Sequence, residues 1–203
     1  MKKRPIFITG IGTGIGKTIV SAVLVEKLLA DYWKPVQSGD LENSDTLLVK
    51  SLISNVETVF HKESYRLSQP FSPHLSAALD GICIDMNKII LPVTENQLII
   101  EGAGGLMVPL NEKDLMIDLI EKLEAEVILV SKNYLGSINH TLLSAEILKS
   151  RNIPVSRLIF CGEPNQSSEE VIYAQTGIEI LRIPHFEILN KDTIHEFADQ
   201  FHL

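Results

Sequence analysis

"FITGIGTGIGKTIV", residues 7–20, runs from an apolar strand through alternating glycines into Lys17 and Thr18 at the head of a helix. Two phosphate-binding templates compete for it. A dinucleotide turn requires G-x-G-x-x-G, and counting from Gly10 or Gly12 puts Ile15 or Lys17 where the last glycine belongs. A mononucleotide loop requires G-x-x-x-x-G-K-[ST] between strand and helix. Gly16, Lys17 and Thr18 complete it, although Ile11 stands where its first glycine would be. Gly12, Gly14 and Gly16 can adopt positive φ and turn backbone N–H groups toward an anion. The helix "KTIVSAVLVEKLLA" that follows adds the positive end of its dipole. On this reading Lys17 reaches the outer phosphates and Thr18 a magnesium ion. The alternative is a glycine-rich turn that binds nothing.

The rest of the chain agrees with a nucleotide fold. At 203 residues one domain, 1–203, is expected, and 45% hydrophobic with 22% charged residues describes an ordinary globule. A net charge of −8 argues against nucleic acid or an anionic membrane as the main partner. No apolar run is long enough to span a membrane, and the start "MKKRPIFITG" is too short in its apolar part for a signal peptide, so a cytoplasmic protein is expected. Cys83 and Cys161 form no motif with the scattered histidines, which leaves no zinc site. Apolar strands at "PIFITG", "WKPVQSG", "QLIIEGA", "EVILVSK", "VSRLIFCG" and "IEILRIP" alternate with helical patterns at 17–31, 45–54, 115–124, 137–151 and 192–202. That alternation predicts an α/β fold: a parallel sheet with helices on both faces, a P-loop-like three-layer sandwich. Residues 55–84 are the least regular stretch. Ligands in such sheets gather at the carboxyl ends of the strands.

Those ends carry the chemistry. In "WKPVQSG" (33–39), Pro35 is incompatible with an ordinary central ladder, and Lys34 is either a phosphate-binding cation or a solvated lysine. In "ENSDTLLV" (42–49), Ser44 or Asn43 caps a helix, while Asp45 either complements its dipole or holds magnesium. "QLIIEGAGGLMVPL" (97–110) ends a strand in Glu101 and continues in glycines, the position from which P-loop proteins hold magnesium. Thr18, Asp45 and Glu101 together offer hard oxygen donors for that ion. In "SKNYLGSINHTLLSAEIL" (131–148), Gly136, Ser137 and Asn139 open a helix with no acid in its first turn, leaving N–H groups for an anion or for a plain cap.

Taken in order, "TGIGTGIGKT", "WKPVQSG", "NSDT", "SPH", "EGAGGLMVPL", "LGSINHTLLSAE" and "RIPHF" resemble the dethiobiotin synthetases, a P-loop family of biotin biosynthesis, over most of the chain. The six-residue step from Gly10 to Gly16 matches that family's own loop. The resemblance implies an ATP- and Mg2+-dependent cyclo-ligase. It would convert 7,8-diaminononanoate and CO2 (or bicarbonate) to dethiobiotin through a carbamate and a carbamic–phosphoric anhydride. It implies Lys17 and Lys34 as catalytic lysines. Nucleotide would be bound by Gly14, Ile15, Gly16, Lys17, Thr18, Ile19, Asp45, Glu101, Gly102, Ala103 and Gly104, with Cys161, Gly162, Ile183, Pro184 and His185 around the base. Substrate would be held by Thr13, Lys34, Ser38 and Ser72, and its carboxylate by Gly136, Ser137, Ile138 and Asn139 of the other subunit of a homodimer.

Two departures accompany the match. The link from the first helix to "WKPV" is several residues shorter than is usual in the family. Many members carry Asn-Asp after the "VSRLIF" type of strand, with the asparagine reading adenine, where this chain has Cys161-Gly162. A loosened base preference is therefore expected. The rival function is a nucleotide switch ATPase of the partitioning or maturation type. It shares the loop and the acids but gives no reason for Lys34, Ser38, "SPH" or "LGSINH". A GTP switch needs N-K-x-D, and the nearest string is "SKNY".

Overall fold

A computed structural model describes residues 3–203. The strands are β1 (Ile6–Gly10), β2 (Asp31–Trp33), β3 (Val36–Ser38), β4 (Phe60–His61), β5 (Tyr65–Leu67), β6 (Leu98–Gly105), β7 (Glu126–Lys132), β8 (Val155–Cys161) and β9 (Ile180–Ile183). The helices are α1 (Lys17–Leu28), α2 (Asp45–Leu52), α3 (Pro73–Leu79), α4 (Met116–Lys122), α5 (Ser137–Ser150), α6 (Gln166–Thr176) and α7 (Lys191–Gln200). Seven strands form one parallel sheet in the order β4-β2-β6-β1-β7-β8-β9, and β3 pairs with β5 in a separate two-stranded sheet.

Side chains alternate along each central strand between two apolar cores, which is why the strands read as continuous hydrophobic runs. Phe7, Ile100, Leu129 and Phe160 point to the face packed by α4, α5 and α6. Ile8, Ile99, Ile128 and Ile159 point to the opposite face with residues of α1, α2 and α7. β1 lies between β6 and β7, so the loop after it emerges at the middle of the sheet's carboxyl edge.

The expected fold class is observed, with corrections in detail. The first helix stops at Leu28 and not at 31: Leu29 takes left-handed φ of 48°, and Asp31 enters the sheet between β6 and β4. Ala30 is a good helix former, so the stop comes from sheet pairing and not from local propensity. "WKPVQSG" is not one strand. Pro35 offers no N–H and disfavours helical φ/ψ at Lys34, so β2 ends at Trp33 and the chain resumes as β3 in the second sheet. Residues 55–84 contain β4, β5 and α3, elements too short for a periodicity signal. α6 was also missed at the sequence level. The strand through Glu101 does not end there but continues to Gly105.

Candidate functional site

The loop after β1 approaches the head of α1 through two left-handed glycines, Gly14 (φ 70°) and Gly16 (φ 106°). Gly12 does not have positive φ, contrary to expectation, and its α-carbon faces open space. Gly16 is the N-cap of α1 and provides no side chain, and the first turn contains no acid. The first N–H groups of α1 are thus presented to whatever sits in the loop. Lys17 is buried, and its Nζ donates to the Gly12 carbonyl at 2.7 Å, which lays the ammonium across the loop. Burial lowers its pKa to about 8; Glu101 and Asp45 oppose that shift and Lys34 adds to it.

Register brings the next residues together. Trp33 pairs with Ile100 and Ile8 with Glu101, so Lys34, Glu101 and the loop after β1 occupy adjacent strand ends. Lys34 Nζ lies 2.6 Å from Asp45 Oδ2 and 3.3 Å from Glu101 Oε1, and 3.4 Å from the Gly102 carbonyl. Thr18 Oγ1 is 3.0 Å from Asp45 Oδ1 and 2.9 Å from Glu101 Oε1, two acceptors for one hydroxyl proton. The Tyr32 hydroxyl donates to Glu101 Oε2 at 2.9 Å. Burial alone would lower the Lys34 pKa, but Glu101 and Asp45 outweigh it and hold the ammonium above the ordinary lysine value. Burial would raise Asp45, and Lys34 with the Thr18 hydroxyl brings it below the usual carboxylate range. Burial and then Glu101 push the Tyr32 phenol well above its ordinary value, so it remains a donor. The solvated-lysine reading of Lys34 is thus excluded, since Lys34 is 3% exposed. Asp45 does more than complement a dipole, and Ser44 is the residue that caps α2, accepting from the Leu47 N–H at 3.4 Å. Sequence reasoning missed Tyr32, whose only signal was its place two residues before Lys34.

Thr18, Asp45 and Glu101 form an all-oxygen donor set that fits a hard divalent cation. No group of three or more His, Cys, Asp and Glu side chains suited to a metal occurs among the described residues, so such an ion would need further oxygens from a bound phosphate.

Not every glycine after Glu101 serves close approach to a ligand. A Cβ on Gly102 would lie 2.7 Å from the Phe7 ring, so this glycine makes room for core packing. Ala103 continues β6, and Gly104 alone takes positive φ (71°), close to the Thr13 hydroxyl. Gly39 packs against Pro70 and thereby brings the Ser38 turn to the segment that carries Ser72, the N-cap of α3. The Ser38 hydroxyl is out of contact with solvent and has no hydrogen-bond partner among the described residues.

Gly14, Ile15, Gly16, Ile19, Cys161, Gly162, Ile183, Pro184 and His185 surround one cavity of about 200 Å³ beside the loop. Lys132, Phe186 and Leu189 complete it and were not anticipated. By contrast, residues 136–139 make no hydrogen bond to the lysine–carboxylate cluster, and Asn139 lines a different cavity between α5 and α6. Gly136 (φ 103°) caps α5 without a side chain, no acid stands in the first turn, and Ser137 is buried.

Fold and site define a P-loop nucleoside-triphosphate protein. In keeping with this, a family model described as an AAA domain matches residues 4–193. The fold is shared with a ParA family ATPase from Chlorobium tepidum (TM-score 0.58, 14% identity, 98% of this chain and 100% of that one). The same holds for the cell division ATPase MinD of Pyrococcus furiosus (TM-score 0.58, 12% identity, 98% of each chain). Much higher identity links the chain to proteins named ATP-dependent dethiobiotin synthetase BioD. That of Christiangramia forsetii is 52% identical over 96% of this chain and 94% of the relative. That of Cytophaga hutchinsonii is 48% identical over 95% and 94%. The chain belongs to the ATP-dependent dethiobiotin synthetase family.

Proposed function

We propose that the protein closes the ureido ring of dethiobiotin from 7,8-diaminononanoate, CO2 and ATP. The observation that carries this reading is the buried Lys34 ammonium, shared between Asp45 and Glu101 beside the phosphate loop. A second buried lysine that bridges the two acids is of use to a carbamate as well as to a phosphate, and the unpartnered Ser38 hydroxyl is a further donor for such a substrate.

One amine takes up CO2 and releases a proton, giving a carbamate. A carbamate oxygen attacks the γ-phosphorus of ATP, ADP leaves, and a carbamic–phosphoric anhydride results. The second amine attacks the carbamoyl carbon and phosphate departs, closing the five-membered urea. Lys34 would neutralise the carbamate and the transferring phosphoryl group, and Thr13, Ser38 and Ser72 would orient the diamine. Lys17 and the N–H groups of residues 14–19 hold the phosphates. Thr18, Asp45 and Glu101 would hold Mg2+, which supplies Lewis-acid neutralisation of the phosphoryl oxygens.

The substrate carboxylate is assigned to the head of α5. Gly136 and Ser137 open a turn whose Ile138 and Asn139 N–H groups meet no side-chain cap. Because this segment makes no hydrogen bond to the Lys34 cluster, its role is argued across a homodimer, and exposed Leu135 and Leu143 offer apolar surface beside it.

The test uses 13C-bicarbonate with the diamine, MgATP and the protein. The expected product carries one labelled carbon in a cyclic urea, and phosphate release depends on the diamine. Phosphate release indifferent to the diamine, with no labelled product, would overturn the reading in favour of a switch ATPase.

A further inference from the structure

We propose that the cavity beside the phosphate loop accepts a nucleobase without reading its edge, so that GTP, CTP and UTP support the reaction as well as ATP. The proposal rests on the synthetase reading, in that it takes the triphosphate to be held by the loop. Most of the cavity wall is apolar: Ile15, Ile19, Ile183, Pro184, Phe186 and Leu189. Such walls pack against the flat face that every base presents, and contact of that kind tolerates any base. Telling one base from another requires a pair of polar groups matched to its edge: a donor beside an acceptor, as an amide supplies to adenine, or two acceptors, as a carboxylate supplies to guanine's paired N–H groups.

Among the described residues, only Lys132, Cys161 and His185 bring polar side chains to this cavity. The Lys132 ammonium is a point charge on a flexible, exposed stem, with no second group beside it to make a matched pair. Cys161 offers a weak S–H donor, and its sulfur lies so close to the loop that a Cβ on Gly16 would be 2.6 Å away. Burial pushes this thiol up to about 12, so it stays protonated. The His185 ring carries its two nitrogens on different edges, and the residue is exposed. No carboxylate or amide side chain lines the cavity among the described residues. The neighbouring amide, Asn133, directs its Nδ2 to the Glu163 carbonyl at 3.1 Å and to Glu169 Oε1 at 2.9 Å. Glu169 is itself tied to the Asn165 N–H and to Arg182, so the donor end of Asn133 is committed to the turn after β8, while its Oδ1 is buried out of reach of the cavity with no partner among the described residues. Of the backbone groups in the wall, the Gly162 N–H is already donated to the Ile183 carbonyl at 2.9 Å.

A bidentate base contact typically contributes discrimination of about tenfold to a hundredfold. Without one, and with affinity coming from the loop and the phosphates, the four triphosphates should be used at similar efficiency.

The experiment measures kcat/KM for dethiobiotin formation with ATP, GTP, CTP and UTP, together with direct binding of their β,γ-imido analogues. The expected result is a spread within about tenfold. Cys161→Asn, which introduces an amide at the wall, should widen the advantage of ATP at least about tenfold, while Cys161→Ser should leave the four similar. An ATP preference above about a hundredfold in the unaltered protein, in turnover or in binding, overturns the proposal and assigns base reading to the backbone of residues 183–187. Absence of product with all four triphosphates would count against the synthetase reading instead, and the binding arm would still decide this one.

Discussion

Glu26 on α1 and Glu101 on β6 are both nearly removed from solvent, 6% and 1% exposed, yet their partners differ in kind. Glu26 accepts from the Ser54 N–H at 2.9 Å, the Asn55 N–H at 3.1 Å, Asn55 Nδ2 at 2.9 Å and His195 Nδ1 at 2.8 Å, with the Ser54 hydroxyl added. Burial alone would raise its pKa, and these donors more than offset it, bringing the carboxyl down to about 2. This cluster joins α1 to the turn after α2 and to α7, and every lone pair has a donor. Around Glu101 the arrangement is competitive: Thr18 has one proton for two carboxylates, and Lys34 divides its charge between the same two acids. A satisfied cluster holds helices in place. A cluster whose partners compete, all made of charges and hydroxyls, is suited to exchanging those partners for a cation and phosphates.

Lys34→Gln tests the contrast most severely. Turnover is expected to fall by about a hundred- to a thousandfold while nucleotide affinity changes little, because the charge Lys34 offsets grows as carbamate and phosphoryl group react. Single-turnover kinetics beside nucleotide titration would show it. A variant that lost nucleotide binding but kept its turnover at saturation would reduce Lys34 to an anchor.

Glu101→Gln and Asp45→Asn come next. Each should lower phosphoryl transfer by about tenfold to a hundredfold, most visibly at limiting magnesium, with the circular dichroism spectrum unchanged. Near-normal turnover in both under those conditions would remove the metal assignment.

Glu26→Gln should do the opposite: leave kcat alone and cost about 2 kcal/mol of stability, since bonds to a buried charge are lost. Its pH signature has a definite sign. The folded carboxyl sits at about 2 against an ordinary 4.5, so its contribution is present above pH 4.5 and is lost as pH falls toward 2. Urea unfolding between those limits should show a shallower decline for the variant than for the native protein. Parallel declines would mean that the Glu26 cluster is not the stabilising one.

Tyr32→Phe is expected to be the mildest. It removes one donor from Glu101 Oε2, at about 1–2 kcal/mol in stability and less than about tenfold in turnover. An effect as large as that of Lys34→Gln would place Tyr32 inside the reacting group.

The site was legible where chemistry and strand-end position coincide. Lys17, Thr18, Asp45 and Glu101 each follow an apolar strand or open a helix, and register then sets them side by side. Lys34 had two readings in sequence, because nothing local says whether a lysine before a proline faces water. Its burial follows from β2 pairing with β6, a contact 67 residues away along the chain. The resemblance puts Gly102 among the nucleotide-binding residues, and the position of Phe7 gives this glycine a packing reason that no local pattern carries. Lys132 and Phe186 stand in quoted motifs without a role of their own there and Leu189 in none; they join the base cavity because β7 and the segment after β9 end beside the loop.

By itself, then, the sequence determined the α/β class, the phosphate loop and the acids that accompany it. These depend on residue type at short spacing and on hydrophobic periodicity, both of which are local. It could not determine where α1 stops, how "WKPVQSG" divides between two sheets, or which polar groups share their protons. Those outcomes depend on which strands become neighbours, since hydrogen-bond pairing and burial across long separations outweigh local propensity.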